Sequence, residues 1–299
     1  MDLSDRSDIS LEVFLLEFSS LTANPSTGSS VAEPTVNWHW QTWQGLPYLT
    51  CSLLEGWSHG FFTLPFWPRE PEELVKILQP DAPVYRVKQV HGNTVLTPSE
   101  IDAAGDEVVA GGLPLADGIA TEQALQAVWV CSADCTPVLI ADTQTGQVAA
   151  VHAGWRGTAT RIVPETIARL LSQGSQIQNL RVAMGPAIAG EVYQLTVPVA
   201  VEIGASIIPQ SAADSPEAIL DALWQLPNSP LLPDPQPGRV RLDVRRVNAI
   251  QLEQLGMDSE QIAIAPHCTY QEPELFFSYR RNKEKKVQWS GIVSVQPAS

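Results

Sequence analysis

Long apolar runs, paired-cysteine motifs and positive charge are scarce in this 299-residue chain, and each scarcity removes a class of protein. The apolar run near the start, LEVFLLEF, contains two glutamates and is too short to span a bilayer. Four cysteines, Cys51, Cys131, Cys135 and Cys268, fall at irregular spacing with no CxxC pair. That argues against a disulfide framework or a zinc finger, and reduced thiols in a cytoplasm are the expectation. Eighteen basic against 33 acidic residues leave a formal charge of −15. Such a field repels phosphate backbones and anionic lipid, so neither nucleic acid nor a membrane is an expected partner.

What is present is globular. Hydrophobic residues make up 44% of the chain, enough for a sizeable core. Residues 19–35 are rich in Ser, Thr, Pro and Ala, so residues 1–35 are expected to be a mobile extension and residues 36–299 a single folded domain. Short β-branched or alternating segments bounded by turn residues predict strands at 47–54, 84–92, 126–132, 137–142, 147–154, 180–186 and 261–266. Helices are predicted over 68–78, 160–174, 215–226 and 243–256, the last two opening on a capping Ser or Asp. The proline-rich stretch 226–239 reads as a surface loop. Without strict βαβ alternation the pattern predicts an α+β fold with mixed or antiparallel sheets rather than a doubly wound one.

Two apolar runs, 138–142 and 148–152, flank TQTGQ, with Gly146 supplying the turn of a hairpin. A turn centred near 144–146 gives paired positions summing to about 290, which sets Val138 opposite His152. Cys135 then comes close to His152 at one sheet edge. A thiol and an imidazole so placed form either a nucleophile with its base or two ligands of a zinc ion. His91, in VKQVHGNT, is the candidate third ligand, because its strand also ends in His-Gly. A His2Cys set would leave zinc's fourth position open, as catalytic zinc requires.

HAGWRGT follows with a turn and then a helix start, whose exposed amides beside Arg156 and Thr158 suit an anion. Asp117, ahead of another short strand, either orients a ligand histidine or initiates a turn. Cys131 reads as a core thiol. His267 and Cys268 are adjacent, and Cys268 is either a core thiol or part of the site. Nine of the 18 basic residues lie between Arg239 and Lys286, including RVRLDVRR and RRNKEKK. They form either a solvated face or a local anion-attracting patch.

Seven blocks in order, KQVHGNTV, ADGIAT, SADCTPVLIAD, VHAGWRGT, MGPAIAGEVYQL, LDVRRVNAIQLEQLGM and CTYQEPELFFSYRR, resemble the signatures of the YfiH-like, or laccase-domain, family over residues 50–295. That family was first labelled polyphenol oxidase and is associated with purine nucleoside phosphorylase activity. The resemblance implies a single α+β domain of sandwiched mixed sheets flanked by helices. It implies metal ligands at His91, Cys135 and His152, with zinc as the cofactor and copper as the other candidate. The substrates it implies are phosphate and the purine nucleosides adenosine, inosine, guanosine and methylthioadenosine, with adenosine deamination as a further activity. Cys135, Arg156 and Asp117 are then the expected catalytic residues, and Arg156, Thr158 and Cys268 the substrate-binding ones. One departure stands out: the family often carries Thr-Arg-Gly-Gly after HGFFT, where this chain reads LPFWPREPEEL, leaving Arg69 as the candidate replacement.

The laccase label fails on histidine supply, since five histidines include no His-X-His pair from which a multicopper cluster is built. Two other readings stay open. One is a Cys–His amide hydrolase of the kind linked to peptidoglycan editing, and the other a non-catalytic nucleoside-binding protein.

Overall fold

The computed structural model describes residues 37–104, 112–209, 211 and 214–297, all in one compact unit. The extension expected over residues 1–35 lies outside them. Fifteen strands and eight α-helices form among the described residues. One six-stranded sheet runs, edge to edge, β1 (Trp38–Trp43), β2 (Leu46–Cys51), β3 (His59–Phe62), β15 (Gln288–Val293), β7 (Ala127–Ser132) and β4 (Val84–Tyr85). A second runs β14 (Ile262–Ile264), β10 (Leu180–Met184), β8 (Thr136–Asp142), β9 (Val148–Ala153), β6 (Gly118–Ala120) and β5 (Val95–Leu96). A small third sheet joins β11 (Gln194–Thr196), β13 (Arg239–Leu242) and β12 (Leu231–Leu232). The helices are α1 (Pro71–Leu78), α2 (Pro98–Ala104), α3 (Trp155–Ala159), α4 (Ile162–Ser172), α5 (Val197–Gly204), α6 (Pro216–Gln225), α7 (Val244–Gln254) and α8 (Tyr279–Asn282).

The two large sheets pack face to face, as the α+β sandwich expectation required. Leu49, Phe61, Val130 and Ile292 of the first sheet share a core with Ile119, Leu139, Val148 and Ala183 of the second. Alternate residues of the same strands, among them Ile140, Val151 and Val182, point the other way onto Ile167 and Leu170 of α4 and Leu252 of α7. Every residue of β8 and β9 is therefore buried, which is why both read as nearly continuous apolar runs. At about 25 cal/mol per Å² of apolar surface, this doubly covered hairpin is among the most strongly held parts of the molecule. The site is built at its open end.

The hairpin register differs from the expectation by one residue. Four residues, Thr143 to Gly146, form the loop, closed by Gly146 N–H donating to the Asp142 carbonyl and Asp142 N–H to the Gln147 carbonyl, each at 2.9 Å. A four-residue loop centres between residues, so Pro137 rather than Val138 faces His152. Gly146 has φ +74°, and a Cβ there would meet the Val295 carbonyl oxygen at 2.4 Å, so the turn requires glycine twice over.

Two other expectations are corrected, and one helix gains a neighbour. The predicted strand 84–92 ends at Tyr85, because the chain beyond it bends to wrap Asp117. The predicted helix 160–174 forms as α4, beginning at Ile162, and a separate short helix, α3, precedes it, set off by Arg161 at φ +64°. Pro164 has no amide to donate back to Thr160, so a continuous helix cannot pass through it, whereas a new helix accepts it in the first turn. The stretch 226–239 contains β12 and begins β13. Helices α6 and α7 start where expected, capped by Ser215 and Asp243.

Candidate active site

Strand β9 delivers His152 from the sheet, and the loop entering β8 delivers Cys135. A second loop, ahead of β5, brings His91. The ligand atoms of all three lie within 4.8 Å of one another, and no other such His/Cys/Asp/Glu group forms among the described residues. The rings of His91 and His152 meet edge to face at 4.8 Å between centroids. His91 is not at a strand end; its φ is +62°. What holds it there is Asp117, whose carboxylate accepts the consecutive amides of Val90 (3.1 Å), His91 (2.9 Å) and Gly92 (2.7 Å).

The same carboxylate accepts a hydrogen bond from His152 Nδ1 at 2.8 Å. That fixes the tautomer and leaves Nε2 for the thiol or a metal. Asp117 is 0% exposed. Burial works to raise its pKa, but the hydrogen bonds from His152 and the Gly92 amide outweigh it and hold the carboxyl below the usual range. Asp117 thus orients both histidines from behind. Its expected catalytic role becomes one of positioning, since it has no surface on the cavity.

Cys135 and His152 form a charge pair. Burial opposes ionisation of both, yet each favours the other's charged form. The thiol is lowered to about 6, chiefly by His152 and then His91, and the imidazole is raised to about 9 by Cys135 and Asp117. Gly154, next along from β9, makes the room. A Cβ on it would stand 2.8 Å from Cys135 Sγ and 3.2 Å from His91 Cδ2. The sequence shows glycine there, but only the fold shows that two ligands occupy its missing side chain.

A cavity of about 560 Å³ opens over this cluster. Trp155 and Arg156 wall one side, Tyr193 another, and Arg280 with the lysine run 283–286 forms the rim. The Arg156 guanidinium lies 4.3 Å from the centre of the Trp155 ring. Among the described residues its side chain has no hydrogen bond or ion pair. The basic residues singled out in the sequence divide accordingly. Arg241, Arg245 and Arg246 are paired with Asp234, Asp243 and Glu253 away from the cavity, whereas Arg280, Lys283, Lys285 and Lys286 line it, the last paired with Glu284 at 2.8 Å.

Several expected site residues are elsewhere. Thr158 is 0% exposed, its hydroxyl bonded to Asn248 of α7, so it braces α3 rather than touching a ligand. The expected helix-start anion pocket changes with it: Arg156 lies inside the five-residue α3, which begins at Trp155. Cys268 is 5% exposed and accepts the Ala189 amide. Its neighbour His267 is paired with Glu272 at 2.8 Å. Arg69 packs over Trp43 and is absent from the cavity wall, so it does not replace the family's arginine. Conversely, Cys131 is a wall residue and not a core thiol; burial and the charge of Glu70 push it up to about 12, so it stays protonated. Tyr193 was not anticipated, because a lone tyrosine carries no spacing signal.

Comparison with known proteins bears on this arrangement. The sequence profile described as multi-copper polyphenol oxidoreductase laccase matches residues 70–294. The chain is 54% identical over 259 residues to a protein of Synechocystis sp. named purine nucleoside phosphorylase, covering 86% of this chain and 97% of that one. It is 32% identical over 154 residues to adenosine deaminase RL5 of an unknown prokaryotic organism, covering 52% of each. The crystal structure of YlmD from Geobacillus stearothermophilus has the same fold, with a TM-score of 0.69 at 22% identity, over 86% of this chain and 99% of that one.

Proposed function

The chain belongs to the multi-copper polyphenol oxidoreductase laccase family, and from that premise we propose that it is a zinc-dependent purine nucleoside phosphorylase. The observation that carries the reading is the convergence of His91, Cys135 and His152 beneath a cavity whose wall holds an unpaired arginine. The name of the Synechocystis relative supplies the reaction class. Multicopper chemistry lacks its ligands: three of the five histidines are engaged or stand apart, with His59 bonded to two backbone groups, His267 paired with Glu272, and His39 exposed on β1.

The donor set fits a tetrahedral ion. Usual zinc bond lengths place neighbouring donors about 3.3–3.6 Å apart, so donors within 4.8 Å need only a small contraction. One thiolate and two imidazoles suit zinc, and copper is the alternative. Bound there, zinc would act as a Lewis acid toward a substrate atom or lower the pKa of a water.

The protein's own contributions are clearer. Asp117 holds the His152 imidazole directly and the His91 backbone by its amide, so binding requires little rearrangement. A cavity of about 560 Å³ has the size of a nucleoside site. Trp155 and Tyr193 offer aromatic surface, and Arg156 is free to take an oxyanion by two parallel hydrogen bonds. Phosphate held by Arg156 would attack the ribose carbon, releasing base and leaving sugar 1-phosphate. We extend the substrates to adenosine, inosine, guanosine and methylthioadenosine, with adenosine deamination as a second activity, the latter supported by the name of the deaminase relative. Four free thiols suit a reducing cytoplasm, and residues 36–299 would carry the whole activity.

The test is phosphate-dependent release of hypoxanthine from inosine by protein carrying about one zinc per chain. Metal-loaded protein inert toward every purine nucleoside would overturn the reading in favour of a binding protein. The line Asp117–His152–Cys135 also fits a second reading, a Cys–His amide hydrolase, in which Cys135 attacks and metal inhibits.

A further inference from the structure

Two arginines on one chain segment behave in opposite ways. Arg281 is fully engaged with its own protein: its guanidinium donates to the carbonyls of Thr269 (2.6 Å), Tyr270 (2.8 Å) and Phe276 (2.7 Å). That is an arginine tying loops together. Arg280, beside it, donates from its side chain to one protein group, the Gln194 carbonyl at 2.9 Å. Its flat face covers the Tyr193 ring, 4.7 Å from the centroid. A guanidinium carries five N–H donors, so most of Arg280's remain available on the cavity it lines.

Several arginines are tied up by backbone carbonyls, Arg161 by that of Ser206, Arg181 by those of Gln178 and Leu180, and Arg281 as above. Arg86, Arg169, Arg241, Arg245 and Arg246 each have a carboxylate partner. Arg280 and Arg156, on the same cavity, have none among the described residues.

Arg280 is also rigidly placed. The half-buried Asp134 carboxylate accepts its backbone amide at 2.6 Å and the Thr269 hydroxyl at 2.8 Å, while Tyr279 N–H donates to the Ala133 carbonyl at 3.0 Å. Asp134 directly precedes Cys135 and has φ +142°, a strained conformation that these bonds hold. One carboxylate thereby fixes α8 against the loop that presents the Cys135 ligand.

We propose that Arg280 is a phosphate-binding residue, the second guanidinium of a clamp completed by Arg156, delivering free orthophosphate to the cavity above His91, Cys135 and His152. The clamp deepens the phosphorylase reading and rests on it for the anion's identity. Two planar forks from separate elements, each backed by an aromatic ring, define both the position and the orientation of a tetrahedral anion, which one arginine does not. Tyr193, sandwiched against Arg280, supports one of the two forks.

The test measures equilibrium binding of inorganic phosphate to the zinc-loaded full chain, at about 0.15 M salt. Arg280→Gln is expected to weaken binding about tenfold or more, the loss of a charged hydrogen bond. Arg280→Lys should recover part of the affinity, and Lys283→Gln, removing a rim charge, should cost less than about threefold because exposed charges are screened. Thermal melting of each variant separates misfolding from lost contact. Unchanged phosphate affinity in a folded Arg280→Gln protein overturns the proposal. So does an equal loss in Lys283→Gln, which would mean a diffuse field, and so does loss of adenosine 5′-monophosphate binding with free phosphate unaffected. A wild type that binds phosphate through Arg280 but cleaves no nucleoside leaves the clamp standing and refutes the phosphorylase.

Discussion

Asp117 Oδ1 lies 2.8 Å from His152 Nδ1 and 2.9 Å from the amide nitrogen of His91, so one carboxylate oxygen positions two of the three metal-ligand candidates. Neither histidine is set by its own rotamer alone. Asp117→Asn keeps the size but removes the charge and one acceptor, leaving backbone amides without a partner in a 0% exposed site. The expected result is a metal affinity reduced about 10- to 100-fold. Stability should fall by about 2–4 kcal/mol. Zinc titration and denaturant unfolding measure the two effects, and a variant that keeps wild-type zinc affinity would show that Asp117 does not orient the ligands.

Gly154 tests the space rather than the bonds. A methyl group at this position would sit 2.8 Å from Cys135 Sγ, whereas one at Gly92 would make an ordinary 3.7 Å contact with Asp117 Oδ2. Gly154→Ala should therefore lose metal, with overpacking costing about 1–3 kcal/mol, while Gly92→Ala keeps it. Metal content by elemental analysis and folding by circular dichroism distinguish the two. Equal metal content in both variants would refute the steric account.

His59 offers a pH dependence independent of the site. Its Nε2 accepts the Cys51 amide at 2.9 Å and its Nδ1 donates to the Trp57 carbonyl at 2.8 Å, so the ring is held neutral. Burial lowers its pKa, and the Trp57 bond offsets only part of that. Below the ordinary histidine value of about 6.5 the unfolded chain takes up a proton that the folded chain refuses. The stability His59 contributes is thus present above pH 6.5 and lost as pH falls from there toward the folded value. Melting temperature should drop more steeply between pH 7 and pH 5 in wild type than in His59→Gln, and parallel profiles would remove His59 as the cause.

The sequence already placed Cys135 beside His152, because two apolar runs around a glycine-bearing turn admit essentially one pairing. It missed the register by one residue because loop length is fixed by local bonds, here the Asp142 and Gly146 closures, that composition does not display. His91 was found by a likeness between two strand ends that proved not to exist, for His91 sits in a left-handed turn around Asp117. Thr158 reads as a site residue because Arg156 lies beside it in sequence, but α3 turns it inward onto α7, and the adjacent His267–Cys268 pair lies outside the cavity altogether. Arg280 and Tyr193 become site residues only through long-range closure, by way of Asp134 and the third sheet.

Thiol reactivity separates the two readings of the site. In metal-free protein Cys135, lowered to about 6, is mostly thiolate at pH 7, whereas Cys51 and Cys131 are pushed up to about 11 and about 12 and remain protonated. Because the thiolate is the reacting species, iodoacetamide should modify Cys135 first, and the rate should rise with pH through about 6. A zinc site and a nucleophile part company at the next step. If Cys135 is a metal ligand, zinc protects it from alkylation and restores nucleoside cleavage. If it is the nucleophile of an amide hydrolase, the metal-free enzyme is the active one and zinc abolishes turnover. Mapping the modified cysteine by mass spectrometry, with and without stoichiometric zinc and alongside both assays, decides between them, and preferential labelling of Cys131 would contradict the charge pair on which both readings draw.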